Sequence, residues 1–390
     1  MYVKCETHIG KIMTDSIYFD CNATTPLDPE VREVMLRYFD EEFGNPGSRT
    51  HAYGARAKTA VNEARRQVAK VVDALPEDVV FTSGATESNN IAILGLARHG
   101  RETGRKHVVT TRIEHKAVLE PCARLEEEEF EVTLVAPNEK GWVSAEAVAA
   151  AIRPDTLLVS VMHVNNETGV IQPTGEIADL LAKSEAFFHI DAAQGFGKEL
   201  EGPRHPRIDL LSVSAHKVYG PKGVGALIQK RRGGIRPPLT PIMVGGGQEN
   251  GLRPGTVAAS LVVALGKAAE VALRDHEVRR RACKAMKRDA LAALAPFDPQ
   301  INGDPGRTVA HTLNVSIPGL DSEAAMVALK DKLAISNGSA CTSTSYDPSH
   351  VLVAMELPEE RIAGALRLSW CHMTPAPDWN GVAAGIRRML

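Results

Sequence analysis

Short apolar runs rich in β-branched residues alternate with stretches of helical periodicity between about residues 54 and 229. No other feature limits the fold as much. The strand candidates are 79–83, 107–110, 132–135, 157–162, 187–190, 210–214 and 224–228. Helix candidates lie between them or flank them, near 54–72, 87–99, 116–128, 144–152 and 175–184. Most of these strands are apolar at successive positions rather than alternate ones, which a sheet buried on both faces requires. Strand and helix in regular alternation imply a mostly parallel sheet of seven strands flanked by helices, an α/β fold. After about residue 255 the rhythm changes. A long helix is expected over 257–295, and "TLNVSI" and "ALRLSW" then read as strands of a smaller α+β unit.

Composition removes several classes of function. The 390 residues are 44% hydrophobic and 24% charged with a net charge of −3, so nothing global points to a nucleic acid or a membrane. No run of ~18 apolar residues is uninterrupted; the best candidate, 256–273, is broken by Lys267 and Glu270. The N-terminal "MYVKCETHIGKIMTDS" lacks the apolar core of a signal peptide, and a cytoplasmic location is expected. Six scattered cysteines without a CxxC pair argue against a disulfide framework and a zinc site, and they fit a reducing compartment. Two basic runs stand out, Lys230 to Arg236 and Arg279 to Arg288. Such runs serve as solvated faces, or they meet an acidic partner or a nucleic acid.

Four stretches carry chemistry. "FTSGATESNN" at 81–90 takes a strand through small residues into a helix. It is either an ordinary helix start with Thr86 as cap, or an anion site built from free N–H groups, and a phosphate fits. In "HIDAAQ" at 189–194, Asp191 ends a buried strand at the sheet edge where α/β ligands bind. It serves as a cap or ion pair, or as the counter-charge of a bound cation. Lys217 in "SAHKVYGPKGVG" follows the next strand, 26 residues after Asp191, where a lysine can form a Schiff base. Ser214 and His216 beside it can add donors to a phosphate. In "SNGSACTS" at 336–343, Cys341 sits among small residues rather than in an apolar setting. It is either a small packed residue or a presented thiol.

With "ATTP" at 23–26, "GNPGSRTHAYG" at 44–54, "EHKAV" at 114–118, "MHVNNETG" at 162–169 and "GGGQENGLRPGT" at 245–256, these stretches resemble the cysteine desulfurases. Those are class V aminotransferase-like enzymes of fold type I that use pyridoxal 5'-phosphate. The likeness runs in order from about Ile17 to Met373, over nine tenths of the chain. It implies a large cofactor-binding domain over 28–265 and a small domain of 1–27 and 266–390 that carries a cysteine loop at about 334–349. It also implies roles. Lys217 would hold the cofactor covalently, Asp191 would pair with its ring nitrogen, and Gln194 would bond its ring oxygen. Ala85, Thr86, Ser214 and His216 would hold its phosphate, with Thr256 reaching across from the partner subunit of a homodimer. His115 would stack on the ring and move protons, and Asn166 and Arg367 would grip the carboxylate of L-cysteine. Cys341 would take the sulfur as a persulfide and pass it to an acceptor protein, leaving L-alanine. The form of the cysteine motif resembles the long-loop type, which feeds iron–sulfur assembly and tRNA thiolation.

Two departures qualify the resemblance. The family usually follows its substrate arginine with "FSLGR", whereas Arg367 leads into "LSWCHMTP", bringing in Trp370, Cys371 and His372. Cys371 reads as a packed residue. Housekeeping members usually continue past the position of Leu390 in a tail that docks an iron–sulfur scaffold. The acceptor is therefore either such a scaffold or a dedicated sulfur-modification enzyme, with DNA phosphorothioate modification as one such pathway. A selenocysteine lyase or another class V enzyme is the alternative activity.

Overall fold

The structure is a computed structural model, and it describes residues 16–338 and 348–390. Twelve strands occur among the described residues: β1 (Ile17–Tyr18), β2 (Val79–Thr82), β3 (His107–Thr111), β4 (Glu131–Val135), β5 (Thr156–Met162), β6 (Phe187–Asp191), β7 (Leu210–Ser214), β8 (Gly225–Gln229), β9 (Gln300–Ile301), β10 (Thr312–Ser316), β11 (Leu333–Ala334) and β12 (Ala365–Ser369). Seven form one sheet in the order β2-β8-β7-β6-β5-β3-β4. β8 runs against both its neighbours, and the remaining pairings are parallel.

The apolar runs divide their side chains between the two faces, as the two-residue period of a strand demands. Val109, Val159, Phe188, Ile190 and Leu211 join one core, and Val108, Leu158, Leu210 and Leu227 join the opposite one. Helices cover both faces. On the first, helix Ala52–Val71 packs on helix Ala259–Arg274. A Cβ at Gly266 would stand 2.5 Å from the Ala64 Cα, so the approach of these helices requires glycine there.

The long helix expected over 257–295 is two helices, Ala259–Arg274 and His276–Leu294. Asp275 between them leaves the helical region at φ −104°, ψ 9°. The first helix packs in the core of the large sheet. The second contributes Cys283, Ala290 and Leu294 to a separate core beneath the antiparallel sheet β12-β10-β9. One straight helix cannot face both cores, and packing imposes the break. The N-terminal segment crosses to this second unit as well. β1 pairs with β11, and Phe19 packs against Trp370 with ring centroids 5.8 Å apart.

Candidate active site

The parallel strands deliver their C-terminal ends to one cavity of about 900 Å³. After β2 come Ser83–Thr86, after β3 His115, after β5 Asn166, at the end of β6 Asp191 and Gln194, and after β7 His216 and Lys217; Ser214 ends β7 itself. Arg367 enters from the middle of β12. The chain thus brings ten of the twelve sequence-predicted site residues to one wall-to-wall site.

The local geometry follows from the strand ends. Asp191 accepts from the Ala193 N–H at 2.9 Å and from the Asn89 side-chain amide at 2.7 Å, which fixes the plane of its carboxylate. Lys217 closes a single 3₁₀ turn, and its ammonium donates to the carbonyl oxygens of Ala23 (2.8 Å) and Asn22. The helix Ala85–Leu94 starts directly after Gly84 with no side chain capping it, and Gly84, Ala85 and Thr86 line the cavity at this uncapped end. Thr86 is therefore inside the first turn and is not the cap, in contrast to one reading of the sequence. Helix start at Ala85 leaves the Thr86 hydroxyl free to face the cavity.

His115 caps the helix Lys116–Glu126 by accepting at Nδ1 from the Ala117 N–H at 3.0 Å. The neutral ring consequently carries its proton on Nε2. Burial lowers its basicity, opposed by the nearby Asp191 carboxylate. His216 is pushed down to about 4 by burial and by neighbouring cations, Lys217 first, and bonds Thr24 at 3.1 Å. Arg367 is 4% exposed. One prong bonds Asp20 at 2.7 Å and another the Asn166 carbonyl at 3.1 Å, while its Nε has no partner. The Asn166 Oδ1 and Gln194 Oε1 are likewise buried and unpaired.

These orphaned polar atoms fit a bound group. A carboxylate fixed at the sheet edge, a lysine amine, a glycine–hydroxyl cradle and an unpaired guanidinium nitrogen suit a bound group that carries an anion and a cationic nitrogen, beside a carboxylate ligand. At Gly84 an added Cβ would come 3.6 Å from the Ser214 Oγ, narrowing the cradle.

The comparisons with known proteins agree. The aminotransferase class-V family model matches residues 17–379. The cysteine desulfurase IscS of Vibrio atlanticus is 45% identical over 374 residues, 95% of this chain and 92% of its own length. The chain belongs to the cysteine desulfurases of the aminotransferase class-V family. The mitochondrial cysteine desulfurase of Arthroderma benhamiae is 46% identical, covering 96% of this chain and 74% of that one. Among solved structures, DndA from Streptomyces lividans is 48% identical at a TM-score of 0.80, covering 90% of this chain and 98% of that one. Membership of this family implies pyridoxal phosphate as the cofactor.

The remaining two predicted residues are Thr256 and Cys341. Thr256 is exposed and does not line the cavity. Cys341 lies outside the described residues. Cys371 is packed against Cys21 and Tyr219 and accepts from the Thr374 hydroxyl at 3.5 Å, well integrated in the fold.

Sequence reasoning missed several cavity neighbours. Asn89 lies in "FTSGATESNN" but reads as an ordinary helix residue. Glu114 precedes His115 and is fully buried, which pushes its carboxyl up to about 8, and it accepts from the Met162 N–H and the Thr111 hydroxyl. Glu167 is raised by burial too and accepts from the Ser349 hydroxyl at 2.5 Å. Glutamate beside histidine in "EHKAV" and a glutamate inside the apolar-flanked "VNNETGV" are the signals that could have found them.

Proposed function

We propose that this chain converts L-cysteine to L-alanine and keeps the sulfur as a persulfide on Cys341. Lys217 would hold pyridoxal 5'-phosphate, with Asp191 as the partner of its ring nitrogen and Gln194 of its ring oxygen. Ala85, Thr86, Ser214 and His216 take its phosphate, completed by Thr256 from a second copy in a homodimer. When bound, the cofactor supplies an electron sink conjugated to the substrate's α-carbon. Asn166 and the two-pronged Arg367 orient the substrate carboxylate. His115, protonated on Nε2 when neutral and low in basicity, moves a proton between positions on the substrate. The Cys341 thiolate attacks the substrate sulfur, so an S–S bond forms as the Cβ–S bond breaks, and a proton replaces sulfur on Cβ. Substrate plus thiol thus becomes alanine plus persulfide without an external oxidant. The sulfur then passes to an acceptor protein, an iron–sulfur scaffold or a dedicated sulfur-modification enzyme.

The observation that carries this reading is the convergence of Asp191, Lys217 and Arg367 on one cavity from separate strands, in a chain of this family. The test is mass spectrometry of the peptide containing Cys341 after exposure to L-cysteine without acceptor. Added sulfur is expected on Cys341, and Cys341→Ser lowers alanine release by roughly two orders of magnitude while retaining the bound cofactor's absorbance. Alanine release at the parental rate by that variant overturns the proposal.

A further inference from the structure

A second cavity, of about 360 Å³, lies at the seam between the two cores. One wall is the helix His276–Leu294, where Arg280, Lys284 and Lys287 recur at the i, i+4, i+7 spacing of a single face. Arg307 faces them from the loop before β10, and Glu199 is the lone acid in the lining. Four cations against one carboxylate concentrate positive potential in a concave space.

These cations differ from their neighbours on the same helix. Arg279 pairs with Asp28 at 2.6 Å and Arg288 with Asp289 at 3.0 Å. Among the described residues, Arg280, Lys284 and Lys287 form no ion pair within 4 Å. Lys287 is held toward the cavity by a 3.0 Å bond to the Val309 carbonyl, and burial without a counter-charge brings its ammonium down to about 8. Arg307 makes a long pair with Glu176 at 3.5 Å and lies over the Trp142 ring, which orients its guanidinium without neutralising it closely.

The cavity also shares a wall with the active site. Asn166 lines the larger cavity, and Thr168 and Ile171 line the smaller. The loop between them is stiff. Asn165 Oδ1 accepts from the N–H groups of Glu167 and Thr168, and Gly169 sits at φ +73°, where an added Cβ would come 2.8 Å from Thr312. The Arg307–Val309 strip is bonded to this loop, with Ile171 N–H donating to Arg307 O at 2.7 Å and Val309 N–H to Gly169 O at 2.9 Å.

We infer that the seam cavity binds a compact, multiply charged oxyanion of the phosphate or polycarboxylate class. The cations outnumber Glu199, the one carboxylate that Arg280 and Lys284 act on there, and the excess positive charge supplies the recognition. The volume, near the lower end of the ~300–1,000 Å³ typical of ligand pockets, fits a small ion and is too enclosed for a nucleic-acid strand.

The test is calorimetric titration of the holoenzyme at low ionic strength, with the cofactor's own phosphate already filling the cradle at Gly84 and Ser214. Pyrophosphate is one probe and citrate the other. Saturable binding of one pyrophosphate per chain is expected. The Arg280→Ala/Lys284→Ala variant weakens it about tenfold or more. The Arg281→Ala/Arg288→Ala variant removes equal charge from the same helix outside the cavity and leaves binding within about twofold. Lys284→Glu, a single change at an exposed side chain, weakens binding in the same direction if the double variant folds poorly. Citrate binding of similar strength assigns the site to oxyanions in general, and binding of pyrophosphate alone assigns it to phosphates. No saturable binding, or equal loss in the two double variants, overturns the inference.

Discussion

The edge of the seven-stranded sheet and the antiparallel sheet contribute to the same cavity in opposite ways. The large sheet supplies many groups, each held by its own strand end, and buttresses them from within the same unit: Asn89 on Asp191, Ala117 on His115. The small sheet supplies one described side chain, Arg367, and holds it through residues far away in the chain, Asp20 and Asn166. The first arrangement places reactive groups with little freedom. The second places a recognition group on a separate core, so its position depends on how the two units meet. On the proposed function, the chemistry belongs to the large sheet's edge and substrate capture to the seam.

If that division holds, the largest effect comes from the sheet edge. Asp191→Ala removes the carboxylate that Asn89 and Ala193 hold in place, and turnover falls by roughly 10³, with weakened cofactor retention. Steady-state alanine release together with cofactor absorbance measures both. Turnover within tenfold of the parent breaks the comparison.

A smaller and different effect is expected across the seam. Arg367→Lys keeps the charge and loses the fork. The KM for L-cysteine rises roughly 10- to 100-fold, with the cofactor spectrum unchanged and kcat less affected. A loss confined to kcat would place Arg367 with the reactive groups.

The smallest test concerns the buried acid behind His115. Burial holds Glu114 up to about 8 against an ordinary value of 4.5. Between those values the folded chain binds a proton that the unfolded chain releases, so this group's stabilising contribution is full below pH 4.5 and is lost as pH rises toward 8. Glu114→Gln removes the dependence. The variant's Tm, measured from pH 5 to 8, falls by a few degrees less than the parent's. Parallel Tm curves would mean that Glu114 ionises in the fold.

Much of the sheet was legible because burial on both faces writes itself into composition. The runs at 79–83, 157–162 and 210–214 are strands β2, β5 and β7 within a residue at each end. Much of the cavity was legible too, because residues that follow parallel strands gather at one edge. The break at Asp275 was not, since helical periodicity continues across it and only the existence of two cores forces the turn. The helix start at Ala85 rather than beyond Thr86 was decided by backbone geometry at Gly84.

By itself, then, the sequence determined which segments are strands, which faces they bury, and which reactive residues follow them. Those properties depend on near neighbours along the chain and on the two- and 3.6-residue periods. Tertiary structure alone decided that Asn89 holds Asp191 across 102 residues, that Asp20 holds Arg367 across 347, and that three lysines and arginines of one helix face a cavity instead of acids. A side chain's type and local period say which way it points from its own element. What stands opposite is set by packing between elements, and no local pattern records it.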